Sequence, residues 1–448
     1  MKKKLLICLL TLCFVCLPLT AVAESGDVKA LFADGSYPYA DLLYENGAIA
    51  DTAKLTVDYL KDEQTPSQNA PEIGCKAAFV ADPVSGKVFY EKNAHDKMFP
   101  ASTTKILTAL VVLENCTLDE TATVSNRAVS LVPDGYVRAN LQPGEQLSVY
   151  TLLQALLIPS ANDAAYVLAE HVGGSVEAFA ALCNERAQEL GCESVHFVNP
   201  NGIHDADHYC SAYDLFLIAR ACQKYDVFNE IVTTKSITLP ATDRYPNKDR
   251  TFKNTNALLS EGSYYVPYCT GIKTGYTEEA GECLVASSAK DDLNLISVVL
   301  GGRILGNTNE RFSDTKKLLE FVYDNYAFRQ IADKTKPLSE VNVIHAVKGQ
   351  ETLDVLIRTD IYTVAPTGTA PDNIRMQLDL AEEIKAPVKQ NQVLGVVTYR
   401  ADGIVYSTNL VAAHDVQKKP FWLYNALVAM GILLVVYVVV RSAKQRRK

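Results

Sequence analysis

Near its C-terminus the chain has a segment of 20 residues that carries no charge, Phe421 to Val440. A helix of this length and apolar composition can cross a bilayer, and Trp422 and Tyr424 at its start are typical of the membrane interface. Five of the eight residues that follow are Lys or Arg. The positive-inside rule therefore predicts one transmembrane helix at residues 421–440, with a basic cytoplasmic tail at 441–448 and the preceding chain on the extracytoplasmic side. A buried helix of a soluble protein is the alternative.

The first residues of the chain have the pattern of a secretory signal peptide. Three lysines at positions 2–4 precede an apolar run that continues to about Leu19, and Ala21-Val22-Ala23 follows it. A charged region, an apolar region and an A-x-A site in this order predict a signal peptide at residues 1–23. An uncleaved anchor helix is the alternative. The folded part of the protein is thus expected outside the cytoplasm, attached to the cell membrane by the C-terminal helix.

The exported part of the chain is acidic. Without the predicted signal peptide and cytoplasmic tail, the chain has 35 basic and 52 acidic residues, a net charge of about −17. Such a charge makes nucleic acid a poor partner. Eight of the eleven cysteines lie between Cys75 and Cys283. None of these eight forms a C-x-x-C pair with another, which argues against a zinc ribbon or a thioredoxin-type site. Disulfides and buried thiols both remain possible.

Strand-like and helical patterns divide the exported part into an acidic leader at residues 24–72, an α+β domain at 73–332 and a small all-β domain at 338–416. The turn-forming residues 64–67 predict a linker within the leader. In the α+β domain a hairpin at 76–93 comes first and strands at 281–289 and 293–301 come late. Helical periodicity lies between and after them, at about 102–115, 148–157, 162–172, 175–190, 211–223 and 309–325.

Three short motifs carry the chemistry. S-x-x-K and S-x-N each occur three times, but Lys273-Thr274-Gly275 is the only K-[ST]-G in the chain. Only one combination has the order S-x-x-K, S-x-N, K-T-G, and it consists of Ser102/Lys105, Ser160/Asn162 and Lys273-Thr274-Gly275. This order is the signature of the penicillin-binding serine enzymes and the serine β-lactamases.

The surrounding stretches resemble the low-molecular-weight penicillin-binding proteins that are serine-type D-alanyl-D-alanine carboxypeptidases. These stretches are GKVFYEKNAHDKMFPASTTK, LLQALLIPSANDAA, FVNPNGIHDADHYCSAYDL and GIKTGYTEEAGECLVASSAK. The resemblance covers about residues 73–440. It implies a central antiparallel sheet with helices on both faces and a helical subdomain, followed by the small β domain and the membrane helix.

The residue types at Ser102 and Lys105 also make chemical sense by themselves. A serine hydroxyl is a weak nucleophile until a base takes its proton. Lys105 lies one helical turn after Ser102 on an apolar helix, where burial, the helix N-terminus and a second cation, Lys273, would favour the neutral amine. Lys105 is therefore predicted to be the general base, the alternative being a lysine that caps buried carbonyls.

The resemblance implies roles for the remaining site residues. Ser160 relays a proton to the leaving amine, although an ordinary helix cap is the alternative at this position. Asn162 holds the substrate amide. Lys273 supplies positive potential, Thr274 binds the substrate carboxylate and Gly275 allows the substrate to approach the strand. The main-chain N–H groups of Ser102 and Tyr276 form the oxyanion hole.

Two neighbouring patterns give less information about function. His204 and His208 lie in a loop rich in Asn, Gly and Asp, so exposed histidines in a turn are expected there rather than a metal site. Some carboxypeptidases of this type have an arginine shortly before K-T-G. Here Asn254-Thr255-Asn256 stands near that place, which leaves open what assists Thr274.

These observations predict a membrane-anchored carboxypeptidase that removes the terminal D-alanine from peptidoglycan stem peptides through an acyl-enzyme on Ser102. The resemblance implies β-lactams as inhibitors and no metal or organic cofactor. A serine β-lactamase is the nearest alternative, but the E-x-x-L-N pattern of its class A form is missing. A non-catalytic wall-binding protein is the other alternative, and it would have no need of both lysines.

Overall fold

The computed structural model describes residues 70–246, 250–367, 374–401, 404–420 and 422–445, together with the short strands β1 (Tyr44–Glu45), β2 (Ala48–Ile49) and β3 (Thr56–Tyr59). The predicted signal peptide, the linker at residues 64–67 and the last three residues of the basic tail lie outside these ranges. Residues 402 and 403 of the predicted all-β domain also lie outside them.

Strands and helices alternate between residues 77 and 325. In chain order the elements are β4 (Ala77–Ala81), β5 (Val88–Lys92), α1 (Lys105–Asn115), β6 (Thr121–Thr123), α2 (Asn126–Ser130), β7 (Gln146–Ser148), α3 (Val149–Leu157), α4 (Asn162–Gly173), α5 (Val176–Glu189), α6 (Ala212–Cys222), α7 (Asp226–Thr233), β8 (Ser236–Leu239), β9 (Arg250–Lys253), β10 (Cys269–Thr277), β11 (Gly281–Lys290), β12 (Leu293–Gly302), β13 (Ile304–Leu305), β14 (Thr308–Asn309) and α8 (Glu310–Asn325). Helices are present at all six predicted places, whereas α2, α7 and the strands β6–β9 were not predicted.

Serine side chains fix the starts of four of these helices. Each serine hydroxyl accepts a hydrogen bond from the main-chain N–H three residues later, which satisfies one of the donors that a helix start leaves without a partner. The four capping residues are Ser125 of α2, Ser148 of α3, Ser175 of α5 and Ser211 of α6. Local sequence chemistry thus sets where these helices begin.

The main sheet is antiparallel and has the strand order β10-β11-β12-β4-β5. Alternate residues of a strand point to opposite faces. Along β4, Ala77 and Phe79 belong to the core formed with the central helices, while Ala78 and Val80 belong to a second core formed with α8. The sheet therefore has helices on both faces, and the predicted α+β fold class is confirmed.

All the described elements between α8 and the last helix are strands. The first, β15 (Tyr326–Ala332), precedes the β domain predicted at 338–416, and the others are β16 (Ser339–Ile344), β17 (Thr352–Ile357), β18 (Ile361–Pro366), β19 (Arg375–Leu380), β20 (Ile384–Lys385), β21 (Val393–Ala401) and β22 (Ile404–Ala412). Six of them form a sheet in the order β19-β21-β22-β17-β16-β20, and β15 pairs with β18. Strand β3, which lies in the leader segment, pairs with β22.

The last helix, α9 (Trp422–Gln445), is the one helix in the described residues that is long and apolar enough to cross a membrane. Its stretch Ala426–Gln445 has a mean hydropathy of 2.3, and its large apolar side chains are exposed. A buried helix of a soluble protein would pack these side chains into a core, whereas their exposure is compatible with a membrane anchor.

The eight cysteines from Cys75 to Cys283 form no disulfide, and all of them except Cys116 are buried. The sequence leaves open whether these cysteines form disulfides or are buried thiols. In the structure seven of the eight are buried thiols.

Candidate active site

Ser102 lies in a short 3-10 turn, Ala101–Thr104, that leads directly into α1. The turn is held in an unusual shape, because Ala101 has a positive φ of 48°. Gly202 packs so closely on this turn that a Cβ atom there would come within 1.8 Å of the Ala101 carbonyl oxygen. A loop 100 residues further along the chain therefore supports the backbone of Ser102.

The Lys105 amine is fully buried and lies among three oxygens. Its Nζ atom is 2.9 Å from Ser102 Oγ, 2.9 Å from Asn162 Oδ1 and 2.9 Å from the Asn201 carbonyl oxygen. The amide and carbonyl oxygens can only accept hydrogen bonds. A neutral amine has two N–H groups, which these two oxygens take up, and its lone pair then faces the Ser102 hydroxyl.

Burial lowers the pKa of Lys105 well below its ordinary value, and the charge of Lys273 lowers it further, against an opposing effect of Asp163. Taking an ammonium out of water disfavours the charged form, and a second cation nearby adds to this. The electrostatics and the hydrogen bonds thus favour the same neutral state.

The S-x-N motif lies at the start of α4, across the cleft from Ser102. Asn162 donates a hydrogen bond from Nδ2 to the Val137 carbonyl oxygen, which turns its Oδ1 atom towards Lys105. Ser160 is buried and has a positive φ of 70°. It does not cap α4, because Ala161 occupies the N-cap position without a side-chain hydrogen bond. The helix-cap alternative for Ser160 is therefore wrong.

Lys273, Thr274 and Gly275 lie on β10, which is an edge strand of the main sheet. A Cβ atom on Gly275 would come within 2.9 Å of the Pro100 carbonyl oxygen and 3.0 Å of the Ser102 nitrogen. The close approach of this strand to the turn of Ser102 therefore depends on the missing side chain. The adjacent Tyr276 side chain is 59% exposed.

Lys273 is buried, and its amine donates to the Thr274 carbonyl oxygen over 3.1 Å. Burial, assisted by the charge of Arg311, lowers the pKa of Lys273 to about 7. The positive potential that the resemblance implies for Lys273 therefore depends on pH near neutrality.

Two contacts of the K-T-G strand were not assigned from the sequence, although Thr255 belongs to the Asn254-Thr255-Asn256 stretch noted there. Thr255 Oγ1 lies 2.6 Å from Thr274 Oγ1, so the two hydroxyls form a pair. Arg311, at the start of α8, donates to the Gly275 carbonyl oxygen over 3.1 Å and pairs with Glu282 at 2.7 Å. Both residues lie far from the motif in sequence, and only the fold brings them to it.

The expectation of exposed histidines is wrong for His208. This side chain is buried, its Nε2 atom lies 2.8 Å from the Thr104 hydroxyl and its Nδ1 atom accepts from the Val198 N–H. Burial lowers the pKa of His208 to about 4. The neutral ring supports the turn that carries Ser102, which is a structural task.

Comparison with known proteins gives a consistent result over both parts of the chain. Residues 63–303 match the family model of D-alanyl-D-alanine carboxypeptidases, and residues 328–418 match that of the C-terminal domain of penicillin-binding protein 5. The curated relatives include the D-alanyl-D-alanine carboxypeptidase DacF of Bacillus subtilis, 31% identical over 80% of this chain and 89% of the relative. DacA of Escherichia coli K12 is 32% identical over 80% and 88%.

Penicillin-binding protein 5 from Haemophilus influenzae is similar in structure. Its TM-score is 0.61 and its identity 27%, and the match covers 79% of this chain and all of the other. Together with the two family models, these relatives show that the chain belongs to the low-molecular-weight penicillin-binding proteins, the serine-type D-alanyl-D-alanine carboxypeptidases.

Proposed function

We propose that the protein removes the terminal D-alanine from peptidoglycan stem peptides through an acyl-enzyme on Ser102, and that β-lactams acylate the same serine. The observation that carries this proposal is the position of the Lys105 amine. It is buried, its donors face two acceptors, and it lies 2.9 Å from the Ser102 hydroxyl. This arrangement prepares a serine for nucleophilic attack without a metal or cofactor.

In the proposed acylation step, Lys105 takes the proton of Ser102 as Oγ attacks the carbonyl carbon of the penultimate D-alanine. The main-chain N–H groups of Ser102 and Tyr276 stabilise the oxyanion that forms. The C–N bond then breaks, and Ser160 relays the proton from Lys105 to the leaving amine, so that D-alanine departs and Lys105 is neutral again. Water attacks the ester in the second step, with Lys105 again accepting a proton, and the serine is restored.

The proposed substrate contacts place the two ends of the D-Ala-D-Ala unit on two sides of the cleft. Asn162 holds the stem-peptide amide. The terminal carboxylate lies against Lys273 and Thr274, and the paired hydroxyl of Thr255 orients the Thr274 oxygen. In this proposal a second threonine hydroxyl assists the first, at the place where some carboxypeptidases of this type have an arginine. Gly275 leaves the space that the substrate backbone needs.

The proposed organisation keeps the catalytic site outside the cell. Residues 1–23 are removed as a signal peptide, 24–72 form a leader, 73–332 the catalytic domain and 338–416 the β domain, while 421–440 cross the membrane and 441–448 stay in the cytoplasm. The long apolar helix α9 with its exposed side chains supports the anchor. The β domain then lies between the membrane and the catalytic domain, which directs the site towards peptidoglycan.

The proposal is tested by two assays on the purified protein: acylation by a labelled penicillin, and release of D-alanine from a D-Ala-D-Ala peptide. Both activities are expected in the wild type and neither in Ser102→Ala. Ser287→Ala and Ser313→Ala are matched controls, since these serines also stand in S-x-x-K patterns, and they should keep both activities. Rapid loss of the penicilloyl label without D-alanine release would instead indicate a β-lactamase.

A further inference from the structure

Three metal-ligating side chains converge at the end of the helical core that is remote from Ser102. Cys116 is the C-cap of α1, Glu120 lies in the loop before β6, and His171 is in the last turn of α4. One ligand atom from each lies within 4.8 Å of the other two. Among the residues that the structure describes, this is the one group of three or more His, Cys, Asp or Glu side chains that meets in this way.

The spacing of the ligand atoms is close to that of a tetrahedral metal site. Zinc–nitrogen and zinc–oxygen bonds of about 2.0–2.1 Å place two such ligands about 3.3 Å apart, and a zinc–sulfur bond of about 2.3 Å places sulfur about 3.6 Å from them. His171 Nε2 and Glu120 Oε2 are 3.3 Å apart. The Cys116 sulfur lies within 4.8 Å of both atoms, so it has to approach them by no more than about 1.2 Å to reach ligand spacing.

The three ligands are oriented and within reach of solvent. The second carboxylate oxygen of Glu120 accepts a hydrogen bond from the Thr117 N–H, which fixes the direction of the first. The Glu120 side chain is 41% exposed and that of His171 24%. Cys116 differs from the seven other described cysteines, all of which are buried. An ion can therefore enter this cluster, whereas the other thiols are closed off.

The cluster has no role in the proposed reaction. A divalent ion attracts thiolate and carboxylate together, and its binding releases the thiol proton to solvent. Thiolate, imidazole and carboxylate are the ligand types that zinc accepts.

We propose that Cys116, Glu120 and His171 bind zinc, with water in the fourth position. The helices α1 and α4 pack against each other, and each carries a residue of the catalytic site at its other end, Lys105 and Asn162. A metal ion at their C-terminal ends joins the two helices. The site is separate from the catalytic machinery, so bound zinc stabilises the fold and leaves the chemistry unchanged.

Cobalt(II) is the probe for the experiment, because it replaces zinc in such sites and its bond to a thiolate gives a near-ultraviolet charge-transfer band. The full-length protein in detergent is titrated with Co²⁺, and zinc is then added in competition. A saturable thiolate–cobalt band that zinc removes is expected. With zinc at about tenfold above its Kd, the Tm should rise by about 2–5 °C, while the rate of penicillin acylation stays the same.

Single variants at the three ligands decide the assignment. Cys116→Ser should abolish the band, and His171→Gln and Glu120→Gln should weaken binding by at least about tenfold. Glu177→Gln, in an exposed ion pair elsewhere on the helical part, and His414→Gln, exposed in the β domain, should bind as the wild type does. A missing band in the wild type, or a band that persists in Cys116→Ser, would overturn the proposal.

Discussion

At the scale of single residues, the protonation state of Lys105 decides whether Ser102 can react. The amine meets two obligate acceptors and one hydroxyl, and its pKa is lowered by burial and by Lys273. The sequence foresees this arrangement because one helical turn separates Ser102 from Lys105. The role of Asn201 could not be predicted, because its carbonyl oxygen, which accepts a hydrogen bond from the amine, lies in a loop that is distant in sequence.

The first residue-scale prediction concerns Lys105→Arg. A guanidinium cannot lose its proton in the accessible pH range, so it cannot act as the base. General-base catalysis contributes about 10²–10⁴-fold, and the rate of penicillin acylation should fall by at least about 10²-fold. In the wild type, acylation should rise with pH as Lys105 loses its proton, with a midpoint well below the ordinary lysine pKa. Wild-type acylation in Lys105→Arg would contradict the assignment.

The second residue-scale prediction follows from the pKa of about 7 for Lys273. Its lowered value means that the amine is charged below about pH 7 and neutral above. Since a carboxylate is attracted only to the charged form, kcat/KM for a D-Ala-D-Ala peptide should fall as pH rises through about 7. Lys273→Arg keeps its charge, so this alkaline fall should disappear in the variant. The same fall in both proteins would assign it to another group.

At the scale of secondary structure elements, the sequence predicts the parts that local chemistry determines. The six longer helices follow from apolar periodicity, and serine caps start three of them, α3, α5 and α6. The eight-residue helix α7 was missed although Phe228, Ile231 and Val232 have helical spacing and are buried. Thr255 could not be found in this way, because its partner Thr274 is brought to it by the edge strand rather than by any local pattern.

The element-scale prediction concerns the contact between β10 and the turn before α1, tested by Gly275→Ala. The new Cβ atom would lie 2.9 Å from the Pro100 carbonyl oxygen and 3.0 Å from the Ser102 nitrogen, which forces the two elements apart by a few tenths of an ångström. Misplacement of reacting groups by about 1 Å costs about 10²-fold, so acylation should slow by between about 10- and 100-fold. Thermal unfolding serves as the control, and a wild-type acylation rate would show that the spacing is not critical.

At the scale of the whole molecule, the described residues form an α+β part, an all-β part and an apolar helix whose large side chains are exposed. The order of these parts was predicted from changes in sequence pattern. The pairing of β3 with β22 was not, since it joins residues more than 300 positions apart and the leader has little pattern of its own. Such a pairing depends on which strand edge the folded sheet leaves free, and a local sequence pattern does not show this.

The whole-molecule prediction is that one helix holds the mature protein in the membrane. The β domain is closed by main-chain hydrogen bonds that run to Lys419: Val388 with Val416, Val347 with Gln417, and Lys419 with His345. A chain that ends after Pro420 keeps all of these bonds and loses only the apolar helix, so it should be recovered in the soluble fraction without detergent and should acylate penicillin at the full-length rate. A chain that lacks only residues 441–448 is the matched control and should stay in the membrane fraction. If the chain ending at Pro420 also remained there, a second attachment would exist, and the N-terminal apolar segment would be the segment to test next.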